Sequence, residues 1–290
     1  MKKCALLLAL ALMLSLAACS STNTPNTSTP APAETSAPET VAPTEAPAAE
    51  EVELYVFAAA SMTETLNQIA ELYKEVAPNV TLVYTFDSSG TLKTQIEQGA
   101  DCDVFISAAQ KQMNQLDVTN TTVNTDGLDF VASETRIDLL ENKVVLVVPE
   151  GNPADIQSFE DVATDKLSLI ALGNSDVPVG QYSEEIFTNM GIWDSLNADG
   201  KITFGTNVKE VTSQVSAGAV DCGVVYATDA YSAGLTPVDE APEGSCTPIV
   251  YPAAVMKNSA HPEEAQAFLD YLTSDAAAEV FESVGFSVVA

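Results

Sequence analysis

A segment with strand-like hydropathy stops at a short polar turn that contains two neighbouring serines. Residues 80–86, VTLVYTF, are followed by the turn DSSG at residues 87–90, and a helical pattern begins at once. A similar junction lies at Ser61, between an apolar segment and another helical pattern. Serine hydroxyls and the unpaired N–H groups of a helix N-terminus are hydrogen-bond donors, and a cluster of donors is suited to an anion.

Three positions in the second half of the chain repeat this arrangement. Val179 and Val208 stand at the beginnings of two helical patterns, and Tyr226 ends a strand-like segment. Structural explanations exist for each position. Ser61 and Glu64 fit the S-x-x-E capping box, paired serines are common as an N-cap and turn, and a tyrosine at a strand end is usually core or rim. Repetition at equivalent places in both halves favours a binding site.

The elements that must position these residues alternate between strand and helix. Strands are predicted at 52–61, 80–86, 102–108, 143–151, 167–174, 201–207, 221–230 and 248–256. Helices are predicted at 62–78, 91–99, 110–116, 178–191 and 208–218, with two more within 261–286. Such alternation is typical of an α/β architecture, in which ligands sit at the carboxyl ends of the strands.

Two long apolar runs, 143–151 and 248–256, separate two series of these units. We therefore predict a two-lobed α/β fold, with a doubly wound, mostly parallel sheet in each lobe and two crossover hinge strands between them. Lobe I is predicted to comprise residues 51–142 and 252–290. Lobe II is predicted to comprise residues 143–251, with a ligand cleft between the lobes.

The beginning of the chain has the pattern of an export signal. Lys2 and Lys3 precede an apolar run, residues 5–17, that is too short for a stable membrane anchor. The run ends in LAAC, which resembles the lipobox of bacterial lipoproteins and implies that Cys19 is lipidated. An ordinary cleavage site beside an incidental cysteine is the alternative. We predict a lipoprotein signal peptide at 1–19.

Residues 20–50 are composed almost entirely of Ser, Thr, Pro, Ala, Asn and Glu. A segment of this composition cannot bury enough apolar surface to offset its ordering entropy, so a disordered linker is predicted. The chain carries a formal net charge of −30. A nucleic-acid partner is excluded by that charge, since phosphate binding needs a clustered basic surface.

The cysteines and the single histidine give no support for a metal site or a catalytic site. Cys102, Cys222 and Cys246 lack metal-ligand spacing, and either free thiols or a Cys222–Cys246 disulfide fit an exported protein. His261 stands at a predicted helix start, where a capping or surface role is expected. The stretch LGNSD lacks the second glycine of a nucleophile elbow, and no phosphate-cradling Walker motif is present. We predict no enzymatic activity and no cofactor.

Several segments together resemble the molybdate-binding proteins of ABC importers. They are VFAAASM, SSGTLKTQIEQGADCDVFISA, VPVGQYSEE, GVVYATDA and FLDYLTSDAAAEVFESVGF, and the resemblance runs in order through residues 52–287. It implies a type-II periplasmic-binding-protein fold whose two lobes close on a tetrahedral oxyanion. Many of these proteins have a small residue at the position of Asp87 and a third serine or another small residue at the position of Gly90. The segment 117–142 is longer and less regular than the family leads us to expect.

The resemblance also implies which residues bind the oxyanion. Ser61 and Ser89 match the two serines that donate side-chain and backbone hydrogen bonds. Val179 and Val208 match positions that donate backbone amides, and Tyr226 matches a hydroxyl donor. Asp87 would repel a dianion unless its carboxylate points away.

A site made only of donors favours a fully ionised dianion over phosphate, whose remaining O–H needs an acceptor. The predicted function is therefore an extracytoplasmic, lipid-anchored receptor for molybdate and tungstate. We expect a monomer that delivers its anion to an ABC permease of the cytoplasmic membrane. Two alternatives remain: a sulfate- or phosphate-type oxyanion-binding protein, and a surface sensor that uses the same fold.

Overall fold

The structure is a computed structural model that describes residues 50–289. The predicted signal peptide, its Cys19, and all of the predicted linker except Glu50 lie outside the described residues. Within residues 50–289, no helix has the length and apolar character needed to cross a membrane.

The described residues form eleven strands and nine α-helices. The strands are β1 Val52–Ala59, β2 Val80–Asp87, β3 Val104–Ile106, β4 Ile137–Glu141, β5 Val144–Val148, β6 Ile170–Gly173, β7 Ile202–Gly205, β8 Cys222–Tyr226, β9 Thr236–Glu240, β10 Val250–Val255 and β11 Ser287–Val288. The helices are α1 Thr63–Val76, α2 Ser89–Glu97, α3 Gln110–Leu116, α4 Pro178–Asn189, α5 Trp193–Ala198, α6 Val208–Ser216, α7 Ala227–Ala233, α8 Pro262–Tyr271 and α9 Asp275–Ser283. Three short 3₁₀ turns lie at Ala60–Met62, Ser133–Thr135 and Phe159–Ala163.

The strands are arranged in two sheets, which confirms the predicted two-lobed α/β fold. The first sheet has the order β11-β4-β10-β3-β1-β2 and the second has the order β7-β6-β8-β5-β9. Lobe I consists of the first sheet and the helices that pack on it and its connections, α1, α2, α3, α8 and α9. Lobe II consists of the second sheet and helices α4–α7. All strands of the second sheet lie between residues 144 and 240. The boundary residues of the predicted lobes stay a prediction.

Both sheets are mixed, with a smaller parallel share than the sequence suggested. In the second sheet β6 runs parallel to β7 and β8, whereas β5 runs antiparallel to β8 and β9. In the first sheet β1 is parallel to β2 and β3, and β10 is antiparallel to β3 and β4. β5 and β10, which run against the parallel strands of their sheets, are the first strands after the two crossovers. The short β11 is also antiparallel to its neighbour β4.

The chain crosses between the sheets in short connections rather than along the apolar strands themselves. β4 ends at Glu141 in the first sheet and β5 begins at Val144 in the second. On the return, β9 ends at Glu240 and β10 begins at Val250. The apolar runs 143–151 and 248–256 instead supply an interior strand to each sheet, and every residue of β5 is buried. Asn142 therefore lies in the shorter crossover.

Two differences from the predicted elements affect the site. The stretch ATDA, predicted as the polar end of a strand, begins helix α7, which ends at Gly234 in the left-handed conformation with φ of 65°. The irregular segment 117–142 contains a 3₁₀ turn and the strand β4. Neither α7 nor β4 has the long apolar periodicity on which a prediction from one sequence depends.

Candidate oxyanion site

Ser61 is buried in the 3₁₀ turn between β1 and α1. Its Oγ lies 3.0 Å from the hydroxyl oxygen of Tyr251, a residue of β10. The N-cap of α1 is Met62, and no side chain caps that helix. The capping-box alternative for Ser61 is therefore wrong, because the turn moves the start of α1 two residues beyond it and leaves its hydroxyl to a long-range partner.

The two adjacent serines have different roles. Ser88 is the N-cap of α2, and its Oγ accepts a hydrogen bond from the Thr91 N–H at 3.1 Å. Ser89 is the first residue of the helix and is buried, with its Oγ accepting from the Ala108 N–H at 2.9 Å. Since Oγ of Ser89 accepts from the Ala108 amide, its own hydrogen is left to donate, and it makes no such hydrogen bond within residues 50–289.

The carboxylate of Asp87, which was expected to repel a dianion unless turned away, is engaged by the backbone. Its Oδ1 accepts from the Ser88 N–H at 2.7 Å, at the entrance to α2. Asp87 is half-buried as the last residue of β2. The negative charge is thus partly neutralised by an amide dipole at the helix N-terminus.

The predicted amide donors of the second lobe lie in the first turns of their helices. α4 begins at Pro178, and within its first turn the N–H groups of Gly180 and Gln181 both donate to the carbonyl of Val177. That leaves the amide of Val179 without a helical partner. A side chain at Gly180 would not fit, because its Cβ would lie 2.2 Å from the carbonyl oxygen of Gly173.

Helix α6 presents its first amide in the same way. Asn207 is the N-cap, and its side chain accepts from the Glu210 N–H at 3.1 Å. Val208 follows as the first helical residue with a buried side chain, and its amide is one of the orphan donors of the turn.

Tyr226 ends β8 in the interior of the protein. Its hydroxyl oxygen is buried and has no hydrogen-bond partner among residues 50–289. The ring packs edge-on against Tyr182 and Tyr251, with centroid separations of 6.4 and 5.7 Å. Burial raises the pKa of Tyr226 well above its ordinary value, so the group is a neutral O–H donor. A buried hydroxyl without a partner costs about 1–3 kcal/mol, which points to a ligand.

Contacts between the two lobes bring these positions to one interface. The Gly90 N–H donates to the carbonyl of Asp176 at 3.0 Å, which joins the start of α2 to the segment before α4. Lys209, next to Val208, lies 2.7 Å from Glu64 in the first turn of α1. Tyr226 packs against Tyr251, which contacts Ser61. These contacts join Ser61, Tyr226 and the sequence neighbours of Ser89, Val179 and Val208 across the interface between the lobes.

Sequence patterns did not identify several residues at this interface. Asp229 of α7 is fully buried, and Lys209 Nζ lies 3.2 Å from its Oδ1. Burial raises the pKa of Asp229 to about 6, against the opposing effect of Lys209. Asn142 and Tyr251 are the other two. A polar residue inside or beside a long apolar run was the available signal, since a buried polar group needs a partner.

The remaining candidate residues lie outside this interface. Cys102, Cys222 and Cys246 are all free, so the disulfide alternative is wrong. His261 occupies the N-cap position of α8 but makes no side-chain cap. Among residues 50–289, no group of three or more His, Cys, Asp or Glu side chains is arranged to hold a metal ion.

The chain is similar in sequence and in structure to known bacterial binding proteins. Residues 54–287 match the family model described as bacterial extracellular solute-binding protein. The chain is 39% identical to a protein of Bacillus subtilis (strain 168), provisionally named ABC transporter substrate-binding lipoprotein YvgL, over 81% of this chain and 86% of that protein. It is 36% identical to the molybdate-binding protein ModA of Haemophilus influenzae, over 80% and 89% of the two chains. The structure is similar to that of the periplasmic molybdate-binding protein of Azotobacter vinelandii, with a TM-score of 0.71, 26% identity, and coverage of 82% and 100%.

Proposed function

This chain belongs to the bacterial extracellular solute-binding proteins, and on that premise we propose that it captures molybdate and tungstate and delivers them to an ABC permease. The residues proposed to bind the anion are Ser61, Ser89, Val179, Val208 and Tyr226. The observation that carries the proposal is the buried hydroxyl of Tyr226, which has no hydrogen-bond partner among residues 50–289. Its ring packs on Tyr251, which is hydrogen-bonded to Ser61.

The energetics of such a site are favourable despite the acidic chain. Hydrogen bonds to a charged acceptor contribute about 1.5–3 kcal/mol each, so several donors together outweigh a distant repulsion. At physiological ionic strength the Debye length is about 8 Å, and most of the surface acids behind the formal charge of −30 are screened. The donors belong to helix starts and packed side chains, so little ordering cost is added beyond lobe closure.

The chemistry of the donors favours a particular class of oxyanion. Backbone amides cannot accept a hydrogen bond, and the Ser89 oxygen already accepts one from Ala108. A protonated anion such as hydrogen phosphate would bring an O–H that needs an acceptor. Molybdate and tungstate are fully ionised near neutral pH and nearly alike in size, so we expect both to bind.

Membership of a solute-binding family confirms the prediction that the chain is not an enzyme. It supports a location outside the cytoplasm as well, and the word lipoprotein in the name of the Bacillus subtilis relative supports anchoring through Cys19. We expect the receptor to act as a monomer without a cofactor.

Lipidation is tested by labelling cells with an alkyne-tagged fatty acid. The wild-type protein should carry the label and fractionate with membranes, whereas Cys19→Ser should carry none and remain unprocessed. Label on the Cys19→Ser variant would contradict the proposed anchor.

Ligand binding is tested by thermal unfolding of the purified protein with molybdate, tungstate, sulfate or phosphate. A ligand present at about a hundred times its Kd stabilises the folded state by about 2.7 kcal/mol, which raises Tm by several degrees for a domain of this size. We expect shifts with molybdate and tungstate. A shift with phosphate or sulfate alone would reassign the ligand, and no shift with any of the four would contradict the oxyanion site.

Delivery to a permease is tested by uptake of labelled molybdate into cells that lack this chain. Uptake at low external molybdate should fall and be restored by the wild-type chain. Unchanged uptake, together with molybdate binding in vitro, would favour a surface sensor.

A further inference from the structure

A chain of side-chain hydrogen bonds runs from the crossover between the lobes to Ser61. Asn142 Nδ2 lies 2.9 Å from Thr228 Oγ1 and 3.2 Å from the hydroxyl oxygen of Tyr251. The Oδ1 of Asn142 accepts from the Lys143 N–H at 2.8 Å. Tyr251 is fully buried, and its hydroxyl oxygen lies 3.0 Å from Ser61 Oγ. Asn142, Thr228 and Tyr251 are not among the residues proposed to bind the anion.

Donor and acceptor chemistry fixes the direction of the hydrogen bonds that Asn142 makes and favours one direction for the bond between Tyr251 and Ser61. The Lys143 amide can only donate, so the carbonyl oxygen of Asn142 faces it and the NH₂ group faces Tyr251 and Thr228. The hydroxyl oxygen of Tyr251 accepts from Asn142 and keeps one hydrogen to donate. Ser61 Oγ lies 3.0 Å from the Tyr251 hydroxyl oxygen, so the two hydroxyls are bonded to each other. Donation by Tyr251 gives its hydrogen a partner, and the Ser61 hydrogen then points elsewhere.

We propose that Asn142 and Tyr251 are positioning residues that hold Ser61 as a hydrogen-bond donor to the ligand, and so select fully ionised oxyanions over protonated ones. This inference rests on the proposed function, because it assumes that Ser61 contacts the anion. A ligand O–H directed at Ser61 has to share Oγ with the Tyr251 hydroxyl, whereas an ionised oxygen simply accepts the Ser61 hydrogen.

The second serine supports this reading, because it is oriented by the same principle with a different partner. Ser89 Oγ accepts from the backbone N–H of Ala108, so its hydrogen is also directed away from the protein. A backbone amide cannot reverse its direction, whereas a tyrosine hydroxyl can rotate. Tyr251 needs Asn142 to fix its hydrogen, which explains why a buried amide side chain stands at the crossover. Burial also raises the pKa of Tyr251 well above its ordinary value, so the hydroxyl keeps its hydrogen.

The primary test is Tyr251→Phe, which removes the hydroxyl and keeps the ring that packs on Tyr226 and Phe286. Calorimetric titration should show the Kd for molybdate rising about tenfold, the effect of losing one oriented hydrogen bond. The Kd for phosphate should stay the same or fall, because a phosphate O–H then no longer shares Ser61 Oγ with the Tyr251 hydroxyl. The molybdate preference over phosphate should therefore shrink about tenfold.

The matched control is Tyr84→Phe. Tyr84 lies in β2 of the same lobe, and its hydroxyl donates to the Leu66 carbonyl at 3.1 Å, outside the chain that leads to Ser61. The affinities of the Tyr84→Phe variant for molybdate and phosphate should stay within about twofold of the wild type. An equal loss of preference in Tyr84→Phe and Tyr251→Phe would overturn the orientation argument.

A second variant reverses the direction of the hydrogen bonds between residue 142 and Ser61 instead of removing one of them. In Asn142→Asp the carboxylate cannot donate, so the Tyr251 hydroxyl turns its hydrogen toward residue 142 and accepts from Ser61. The Ser61 hydroxyl then donates to Tyr251 rather than to the ligand. The Kd for molybdate should rise about thirtyfold, and the added negative charge accounts for part of that rise. In a Tyr251→Phe background only the charge remains, so the same change should cost at least threefold less. Equal costs in both backgrounds would contradict coupling through Tyr251.

The outcomes separate this inference from the proposed function. Wild-type protein that binds none of the four oxyanions overturns both. Wild-type protein that binds molybdate, with a Tyr251→Phe variant whose molybdate-to-phosphate preference is unchanged, overturns the orientation of Ser61 alone.

Discussion

The two lobes present the same kind of surface by different means. Lobe I offers the hydroxyl of Ser61, which is hydrogen-bonded to Tyr251, and the hydroxyl of Ser89, whose oxygen accepts from Ala108. Lobe II offers mainly backbone amides in the first turns of α4 and α6, together with the hydroxyl of Tyr226. Hydroxyls can be removed one at a time and can in principle turn around, whereas amides are fixed by the helix start. We therefore expect the selectivity of the proposed site to be adjustable through side chains in lobe I and determined by the backbone in lobe II.

The largest expected effect comes from a residue that lets the lobes meet. A Cβ at Gly90 would lie 2.4 Å from the carbonyl oxygen of Asp176 in the other lobe. A serine is common at this position in the family that the sequence resembles, but in this chain the Asp176 backbone leaves no room for a Cβ. Gly90→Ala should therefore raise the Kd for molybdate at least a hundredfold. We expect the lobes to separate at this contact when no ligand is bound. The free variant should then be as stable as the wild type or up to about 1 kcal/mol more stable, since alanine favours helix α2. Titration calorimetry and chemical denaturation measure the two quantities.

The control for Gly90→Ala is Asp176→Ala, which keeps the backbone carbonyl that Gly90 contacts. It should bind molybdate within about threefold of the wild type. Normal binding by Gly90→Ala would show that the contact between the lobes is not needed for the bound state.

A backbone donor of lobe II is tested by Val208→Pro. Proline is tolerated at the first helical position, and Asn207 before it is already extended, with φ of −153° and ψ of 172°. The substitution removes the amide hydrogen while α6 still forms, so the Kd for molybdate should rise about thirtyfold. Val208→Ala keeps the amide and loses the buried side chain. If Val208→Ala weakens binding as much as Val208→Pro, packing rather than the amide accounts for the effect.

The neighbouring serines of lobe I give the sharpest contrast within one turn. Ser89→Ala should raise the Kd for molybdate about tenfold, with the loss of one donor to a charged ligand. Ser88→Ala removes the cap of α2 instead, which should lower the free energy of unfolding by about 1 kcal/mol and leave Kd within about threefold. Reversed effects would exchange the roles of the two serines.

The smallest effect on binding is expected from Asp229→Asn, whose consequence is a change in stability with pH. Burial raises the pKa of Asp229 from 3.8 to about 6. The folded state therefore keeps a proton that the unfolded chain has lost, and this contribution to stability declines as pH rises from about 4 to above 6. The stability of Asp229→Asn relative to the wild type should accordingly increase by roughly 3 kcal/mol across that range.

Chemical denaturation at several pH values measures this difference. The exposed Asp194→Asn variant is the control, and its stability relative to the wild type should change little. A difference between Asp229→Asn and the wild type that stays constant with pH would show that Asp229 titrates alike in the folded and unfolded chains.

Local signals in the sequence were sufficient for the helix starts and insufficient for the contacts between lobes. Ser88, Pro178 and Asn207 each mark a helix start through their own chemistry, so the surrounding elements follow from a few neighbouring residues. The contact between Ser61 and Tyr251 joins residues 190 positions apart, and no local pattern encodes it.

The missed elements have a related cause. α7 is seven residues long and follows directly on Tyr226, so strand and helix merge in one short stretch of sequence. The Gly90–Asp176 contact depends on how far the lobes have closed, which is a property of the whole fold. The predicted ligand roles of the five site residues stay a prediction.

The central claim is that donors from both lobes enclose one molybdate ion. The most direct measurement is a crystal structure of the protein grown with molybdate, with the molybdenum located by its anomalous scattering. We predict a single site at the lobe interface, with oxygens within hydrogen-bond distance of the hydroxyls of Ser61, Ser89 and Tyr226 and the amides of Val179 and Val208. Molybdenum located elsewhere, or bound through donors of only one lobe, would contradict the account.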